Sequence, residues 1–336
     1  MQWLHKNTIN LLKKNLVAYF PIWGMSITTL LSTISSFSFS GWLEVFSHFK
    51  LQYCILNLLF LLYFLMSRNR KLIIISFFCL SLVAAEIVPW YIPNAGLVAN
   101  NSDTLRVLSL NFNIKNQSYA KGLSLVRQEN PDLAVFMELN LAWKTQLATL
   151  HDLFPYSISN TDPNQLGIAV YSKYPLENAS IADWGSPHNP IILGNLLMNG
   201  RAISVVATHP PPPKPGLFQA RNRQLYEISR YIKSLSNPTI VLGDLNITMW
   251  SSYYRRLVKT TGLRNARQGF GLLPTWPRKT TFSPYSRISP PILGLLSIPI
   301  DHCLVSPGIK VVSIHTGTNV NSDHLPLIAD LMISTP

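Results

Sequence analysis

Several apolar runs in this 336-residue chain end in side chains that could do chemistry. Thr239-Ile240-Val241-Leu242 runs into Gly243-Asp244-Leu245-Asn246. LSLN ends at Asn111, AVFME at Glu138 and VVATH at His209; PIDH carries Asp301 and His302, and SDH carries Asp323 and His324. Singly, each has a plain structural use, because Asp and Asn close turns by bonding nearby backbone amides. Together they point further, since residues at the strand ends of an open sheet converge on one crevice. Carboxylates with amide oxygens are hard donors suited to Mg²⁺ or Mn²⁺. A zinc site would need more His or Cys at close spacing. Histidines paired with Asp can act as general acids or stabilise charge near neutral pH. That inventory suits metal-assisted hydrolysis of a phosphoester.

Positioning these groups requires buried strands separated by helices. The apolar alternation predicts strands over 105–114, 132–139, 166–173, 191–198, 202–209, 239–242, 299–305 and 324–333. Helices are expected over 118–130, 141–151, 217–235 and 251–260, the first ended by Asn130-Pro131. Strands alternate with helices but several come in adjacent pairs, which favours an α/β or α+β sandwich over a simple barrel. HPPPPKPG (209–216) is expected to be an extended, stiff loop that fixes His209.

The ordered set Asn111, Met137-Glu138, Thr208-His209, GDLN (243–246), IDH (300–302) and SDH (322–324) resembles the endonuclease/exonuclease/phosphatase superfamily over about residues 104–334. LGIAVYSKYPL (166–176) and LLPTWP (272–277) look like family segments too, the latter as in membrane-linked bacterial members. The resemblance implies a four-layer α/β sandwich, two packed β-sheets flanked by helices. It implies Glu138 as principal divalent-metal ligand, supported by Asn111 and Asp323. It implies that Asp244 orients or deprotonates the attacking water and that Asn246 holds a phosphate oxygen. His324 would contact the scissile phosphate, Asp301 would hold the His324 ring, and His209 matches the second histidine of the deoxyribonuclease and sphingomyelinase branches. Trp276 and Arg278 are expected to touch substrate. Asn113 departs from the pattern, standing where some nucleases carry a metal-binding Asp.

The first third of the chain is different in kind. Of 28 Lys/Arg and 15 acids, residues 1–95 hold only 7 and 2, among long apolar runs. Runs at about 19–39, 51–66 and 72–90 predict about three transmembrane helices, so that 1–95 is a membrane anchor and 96–336 the catalytic domain. Lys6, Lys13 and Lys14 precede the first run, and Arg68, Arg70 and Lys71 separate the second from the third. The positive-inside rule then places residues 96 onward outside the cytoplasm, at the inner or plasma membrane and periplasmic in a Gram-negative cell. Pro93, Asn94 and Gly96 read as a linker. Three cysteines, Cys54, Cys79 and Cys303, form neither a disulfide framework nor a metal-ligand spacing.

The net charge of +13 implies an anionic partner. No acid lies between Asn246 and Asp301, a stretch with eight Lys/Arg and interleaved aromatics. Nucleic acid fits that pattern, and so do anionic lipid headgroups; a solvated surface accounts for much of it as well. ISPPILGLLSIPI (288–300) is expected to form a core strand pair, the alternative being an exposed apolar loop that dips into a membrane. A divalent-metal-dependent phosphodiesterase or nuclease is the first expectation. A phospholipid or small-phosphomonoester hydrolase is the second, and a non-catalytic binding domain the third. No obligate protein partner is inferred.

Overall fold

A computed structural model of the protein describes residues 2–37, 40–93, 102–164 and 166–334. The chain forms two compact units, one of Met1–Pro89 with Trp250–Ser252, the other of Trp90–Met249 with Tyr253–Pro336. The expected linker lies, from Asn94 on, outside the described residues.

The first unit is helical: α1 (Gln2–Ser35), the short α2 (Gly41–Val45), α3 (Lys50–Met66) and α4 (Arg70–Ala84). Its polarity is inverted relative to a water-soluble bundle. Phe20, Trp23, Phe37, Trp42, Met66, Ile74, Phe77 and Phe78 face outward, while Ser32, Ser36, Lys50, Asn57 and Ser76 are buried. Inside, Lys50 Nζ pairs with Glu86 Oε1 at 2.7 Å and also donates to the Ser32 carbonyl. Ser36 Oγ donates to Glu86 Oε2 at 3.1 Å, and Asn57 is bonded to both Thr28 and Thr29 at 3.0 Å. Lys50 is thus an interior ion-pair partner.

Among the described residues, one helical stretch, Gly41–Met66, is long and apolar enough to cross a membrane by length and composition. This corrects the expectation of about three such helices. The 15 residues of α4 fall short of the roughly 20 that span a bilayer.

The second unit is a sandwich of two mixed sheets. In the first, strands run in the order β11-β12-β1-β2-β4-β3: Ile309–Thr316, Leu327–Ser334, Ser102–Asn111, Leu133–Leu139, Gly167–Ser172 and Tyr156–Asn160. In the second the order is β5-β6-β7-β8-β10-β9: Leu176–Ala182, Ile191–Met198, Arg201–Thr208, Thr239–Asp244, Asp301–Val305 and Arg264–Asn265. Alternate apolar residues of both sheets meet in one core that includes Val107, Val135, Val170, Val205, Leu242, Cys303 and Leu331. The outer face of the first sheet is closed by α5 (Tyr119–Glu129) and α6 (Leu141–Leu147). Trp143 of α6 stacks on Phe112 at 3.8 Å, and its indole N–H donates to the Asn116 carbonyl at 2.8 Å. α5 ends at Asn130 in the left-handed conformation that terminates helices before a proline. The remaining helices are α7 (Phe218–Lys233), α8 (Ser252–Thr261) and α9 (Pro290–Leu296).

α9 corrects the expectation of a core strand pair over 288–300. Pro290 and Pro291 occupy the first helical turn, where a missing N–H costs nothing, and only Leu293 turns inward. Of that stretch, Ile298 alone bridges to Trp276.

Candidate active site

Two strand irregularities aim the carboxylates. Between Met137 and Leu139 the β2–β4 register shifts, and Glu138 sits in the bulge at φ +55°. The bulge needs Gly167 opposite: a Cβ there would lie 2.1 Å from the Leu139 carbonyl oxygen. Such bulges re-aim side chains, and this one turns Glu138 out of the strand alternation. On the other sheet, Gly243 adopts φ +148°, and a Cβ there would lie 1.8 Å from the Thr208 carbonyl oxygen. That close approach brings the ends of β7 and β8, and so His209 and Asp244, together.

Asp244 divides its two oxygens. Oδ1 accepts the Asn246 N–H at 2.8 Å, closing the turn its residue type favours. Oδ2 faces inward, 3.4 Å from His209 Nε2, 3.7 Å from His324 Nε2 and 3.3 Å from Asn111 Nδ2. Asp301, opposite Asp244 in the β8–β10 register, sets its Oδ2 2.9 Å from His324 Nδ1. Among the described residues its buried Oδ1 has no hydrogen-bond partner. Asp244, Asp301 and His324 each offer an atom within 4.8 Å of the others.

Burial works against a charged His324, but Asp301 and Asp244 outweigh it and lift the imidazole to about 10, so the ring is a cation at neutral pH. His209 is also raised, burial being overcome by its hydrogen bond and charge interaction with Asp244. Asp301 is pulled below the usual carboxylate range, burial being outweighed by the His324 cation. His302 goes the other way. Burial, then the Arg267 charge, pushes it down to about 3, and its Nε2 lies 2.8 Å from the Ile247 carbonyl. It is a structural neutral histidine, unlike its neighbour in the IDH motif.

Glu138 and Asn111 lie beside this cluster. Asn111 Nδ2 donates to Glu138 Oε1 at 2.9 Å, and its Oδ1 accepts the Asn113 N–H at 3.0 Å. Asn111 therefore spaces two carboxylates here, with its amide nitrogen toward them. Glu138 Oε1 is 3.9 Å from His209 Nε2, and Oε2 accepts only a long bond from the Ile114 N–H at 3.3 Å. Asp323 receives Asn113 Nδ2 at 2.8 Å and Trp276 Nε1 at 3.2 Å. Asn246 stands at φ +52° with its Nδ2 on the Pro210 carbonyl at 2.9 Å, tying GDLN to the proline loop. That loop is held a second time by Asn189 Nδ2 on the His209 carbonyl at 2.8 Å. Trp276 lies near His324, ring centroids 6.5 Å apart, and the Arg278 N–H donates to the Asp323 carbonyl at 2.8 Å.

Three supporting residues lack a clear sequence signal. Ser322 Oγ donates to the Asn111 carbonyl at 2.6 Å and accepts the His324 N–H at 3.1 Å, pinning SDH to β1. Thr275 Oγ1 accepts the Asp301 N–H at 3.4 Å. Arg267, in a stretch read largely as solvated or ligand-facing, is fully buried, and its charge favours ionised Asp301. Only the serine of SDH could have been singled out, as a short polar side chain inside a turn.

The family model for the endonuclease/exonuclease/phosphatase family matches residues 110–324, the segment that holds every group just described. The chain belongs to this family. Its members are generally hydrolases that act on phosphoesters and typically use divalent metals. Among solved structures, TDP2 of D. rerio in complex with a single-strand DNA product superposes with a TM-score of 0.57 at 15% identity, over 68% of this chain and 99% of its own. A family protein from Bacteroides thetaiotaomicron gives 0.54 at 17%, over 70% and 100%. The human Nocturnin catalytic domain with bound sulfate anion gives 0.51 at 17%, over 68% and 97%. At these identities the likeness is one of fold. No curated protein matches the chain in sequence.

Proposed function

We propose that this protein is a membrane-anchored, divalent-metal-dependent phosphodiesterase that directs water in line at phosphorus. The observation that carries the reading is the Asp301–His324–Asp244 cluster beside Glu138, four ionisable groups from both sheets at one crevice. The donor set fits Mg²⁺ or Mn²⁺. It is carboxylate-rich, Glu138 keeps one oxygen only weakly engaged, and a half-turn of the Asn111 amide would add an oxygen. Glu138 would hold the metal, with Asn111 and Asp323 supporting it. When bound, the metal would polarise the phosphoryl group and neutralise charge that develops on its oxygens.

The chain's own residues supply the rest. Asp244 Oδ2 is the acceptor that orients the attacking water and takes its proton, while Asn246 aligns a phosphoryl oxygen. His324, held cationic and oriented by Asp301, donates toward the developing oxyanion. His209 stabilises Asp244 in its ionised form. Trp276 and Arg278 border the site on the substrate side. Because Asp244, Asp301 and His324 are buried and fixed by hydrogen bonds, little reorganisation is needed at the moment of reaction.

The inverted polarity of the helical unit supports membrane anchoring, since apolar side chains face outward and an ion pair is enclosed. We place the basic residues at 68–71 on the cytoplasmic side and the catalytic unit outside the cytoplasm. A reporter active only in the cytoplasm, fused after Pro336 and found active, overturns that orientation. The catalytic reading is tested with the full chain on bis-p-nitrophenyl phosphate and plasmid DNA, with Mg²⁺ or EDTA, beside Asp244→Ala and His324→Ala. Metal-dependent turnover lost in both variants supports it, and turnover that survives in both defeats it.

A further inference from the structure

The surface beside SDH combines two properties. A cavity of about 510 Å³ is lined by Lys121, Arg278, Lys279, Leu293, Gly294 and Leu325, among others. Lys121 and Lys279 are exposed, and among the described residues the Nε of half-buried Arg278 has no hydrogen-bond partner. The walls are joined to the site: Arg278 N–H bonds the Asp323 carbonyl, and Leu325 follows His324 in the chain. Asn319 Nδ2 on the Lys279 carbonyl (3.2 Å) and Asn321 Nδ2 on Thr281 Oγ1 (2.9 Å) lace the rim together.

Next to these cations stands α9. It is anchored by Leu293 and exposes Ile292 and Leu295, each 55% accessible, with Leu296. The Glu138 side of the site shows apolar residues too. Ile114, whose N–H bonds Glu138, and Leu141, 70% accessible, are tied by Asn140 Nδ2 on the Ile114 carbonyl. No acid occurs between Asn246 and Asp301. Exposed aliphatic groups grouped with cations are a recurrent sign of an interaction surface. Apolar groups entering the acyl boundary while neighbouring cations meet anionic headgroups is how proteins rest on bilayers. A nucleic-acid groove would line up aromatic faces for base stacking, whereas the exposed side chains of α9 are aliphatic and Trp250 and Tyr254 are buried.

We propose that α9 and the cationic cavity beside it dock the catalytic unit on an anionic lipid surface, so that the phosphoester presented to the site is carried on a lipid. The docking surface stands on the exposed residues alone. The substrate class rests on the phosphoesterase reading above.

The test places a nitroxide at Leu295→Cys in the full chain, with Cys54 and Cys79 replaced by serine and buried Cys303 retained. The protein is reconstituted in phosphatidylcholine nanodiscs with or without phosphatidylglycerol. On the anionic discs, collisions of the nitroxide with oxygen are expected to exceed those with a water-soluble nickel chelate at least tenfold, and Lys279→Glu is expected to erase that excess. A nitroxide that stays open to the chelate on both kinds of disc overturns the proposal. So does one unmoved by lipid but immobilised by a single-stranded oligonucleotide. Bis-p-nitrophenyl phosphate turnover is read in the same samples with Mg²⁺. Turnover with an aqueous nitroxide defeats docking and spares the phosphoesterase reading. A lipid-buried nitroxide without turnover does the reverse: it sustains the docking surface and removes the substrate assignment.

Discussion

Replacing Gly243 with alanine probes how the site is assembled. The added Cβ would stand 1.8 Å from the Thr208 carbonyl oxygen, where even a crowded contact needs 3.0 Å, so β7 and β8 must part by at least 1.2 Å. The residue after each of these two is a site residue, His209 after Thr208 and Asp244 after Gly243, and their side chains now lie 3.4 Å apart. Misplacing a reacting group by 1 Å costs on the order of 10²-fold in rate. The φ of +148° adds about 1–3 kcal/mol of backbone strain for any residue with a side chain. Each kcal/mol shifts Tm by about 2–4 °C in a domain of this size. Gly262→Ala separates the two effects, because Gly262 has φ +71° but open space around its Cβ position. Turnover of bis-p-nitrophenyl phosphate, measured below both melting transitions, is expected to fall about 10²-fold in Gly243→Ala and to hold in Gly262→Ala. If Gly243→Ala keeps turnover within a factor of a few of the parent while Asp244→Asn abolishes it, the strand approach does not position the pair and the reasoning fails.

Other perturbations have equally defined outcomes. Glu138→Gln is expected to raise the Mg²⁺ concentration needed for half-maximal thermal stabilisation at least about 10-fold; an unchanged midpoint removes Glu138 as the main ligand. Asn113→Asp sets a carboxylate against Asp323, where an amide now donates at 2.8 Å. Its Tm is expected to fall in EDTA and to recover with Mg²⁺, and a Tm insensitive to the metal contradicts a cation at that end of the site. Trp143→Ala removes a buried, stacked and hydrogen-bonded ring and should cost about 3–5 kcal/mol in denaturant unfolding. The Arg106 hydrogen bonds at 2.7 and 3.2 Å hold Asp330 below the usual carboxylate range. A depressed carboxyl stabilises fully above its unfolded value of about 3.9. That stability declines as pH falls below the unfolded value and is gone once the folded-state group protonates. Asp330→Asn should therefore flatten the acid limb of Tm against pH, and an unaltered limb shows that the pair contributes nothing.

The strand-end residues were legible because buried strands advertise themselves as apolar runs, and a polar residue closing such a run stands out. β1, β2, β4, β7, β8 and β10 all lie within a few residues of their expected places, and with them Asn111, Glu138, His209, Asp244 and Asp301. The edge strands β3, β5 and β11 were not legible. YSISN buries none of its side chains fully and LENASIA exposes most of its own, so no apolar face marks their period. The 288–300 run failed for a different reason, since a short apolar stretch has no periodicity that separates strand from helix; the proline pair decided it. Arg267 could not be placed from the sequence because charge alone says nothing about burial, and its interior partner charge, Asp301, lies far along the chain. The direction of the Asn111 amide is set by its neighbours in space, Glu138 and the Asn113 N–H, and spacing along the chain cannot encode it.

The carboxylates are mounted on separate plates. Asn111, Glu138 and the SDH turn belong to the first sheet, and His209, Asp244 and Asp301 to the second, with the Asp244 N–H reaching Met137 Sδ across the gap at 3.1 Å. The apolar layer between the sheets is therefore a spacer that sets the width of the reacting centre. A methylene added or removed at Val135 or Leu242, far from any phosphate, changes that width before it changes the fold. Hydrolysis becomes a gauge of interlayer distance: on warming, slippage of one sheet over the other should silence the enzyme at temperatures where its secondary structure is still intact.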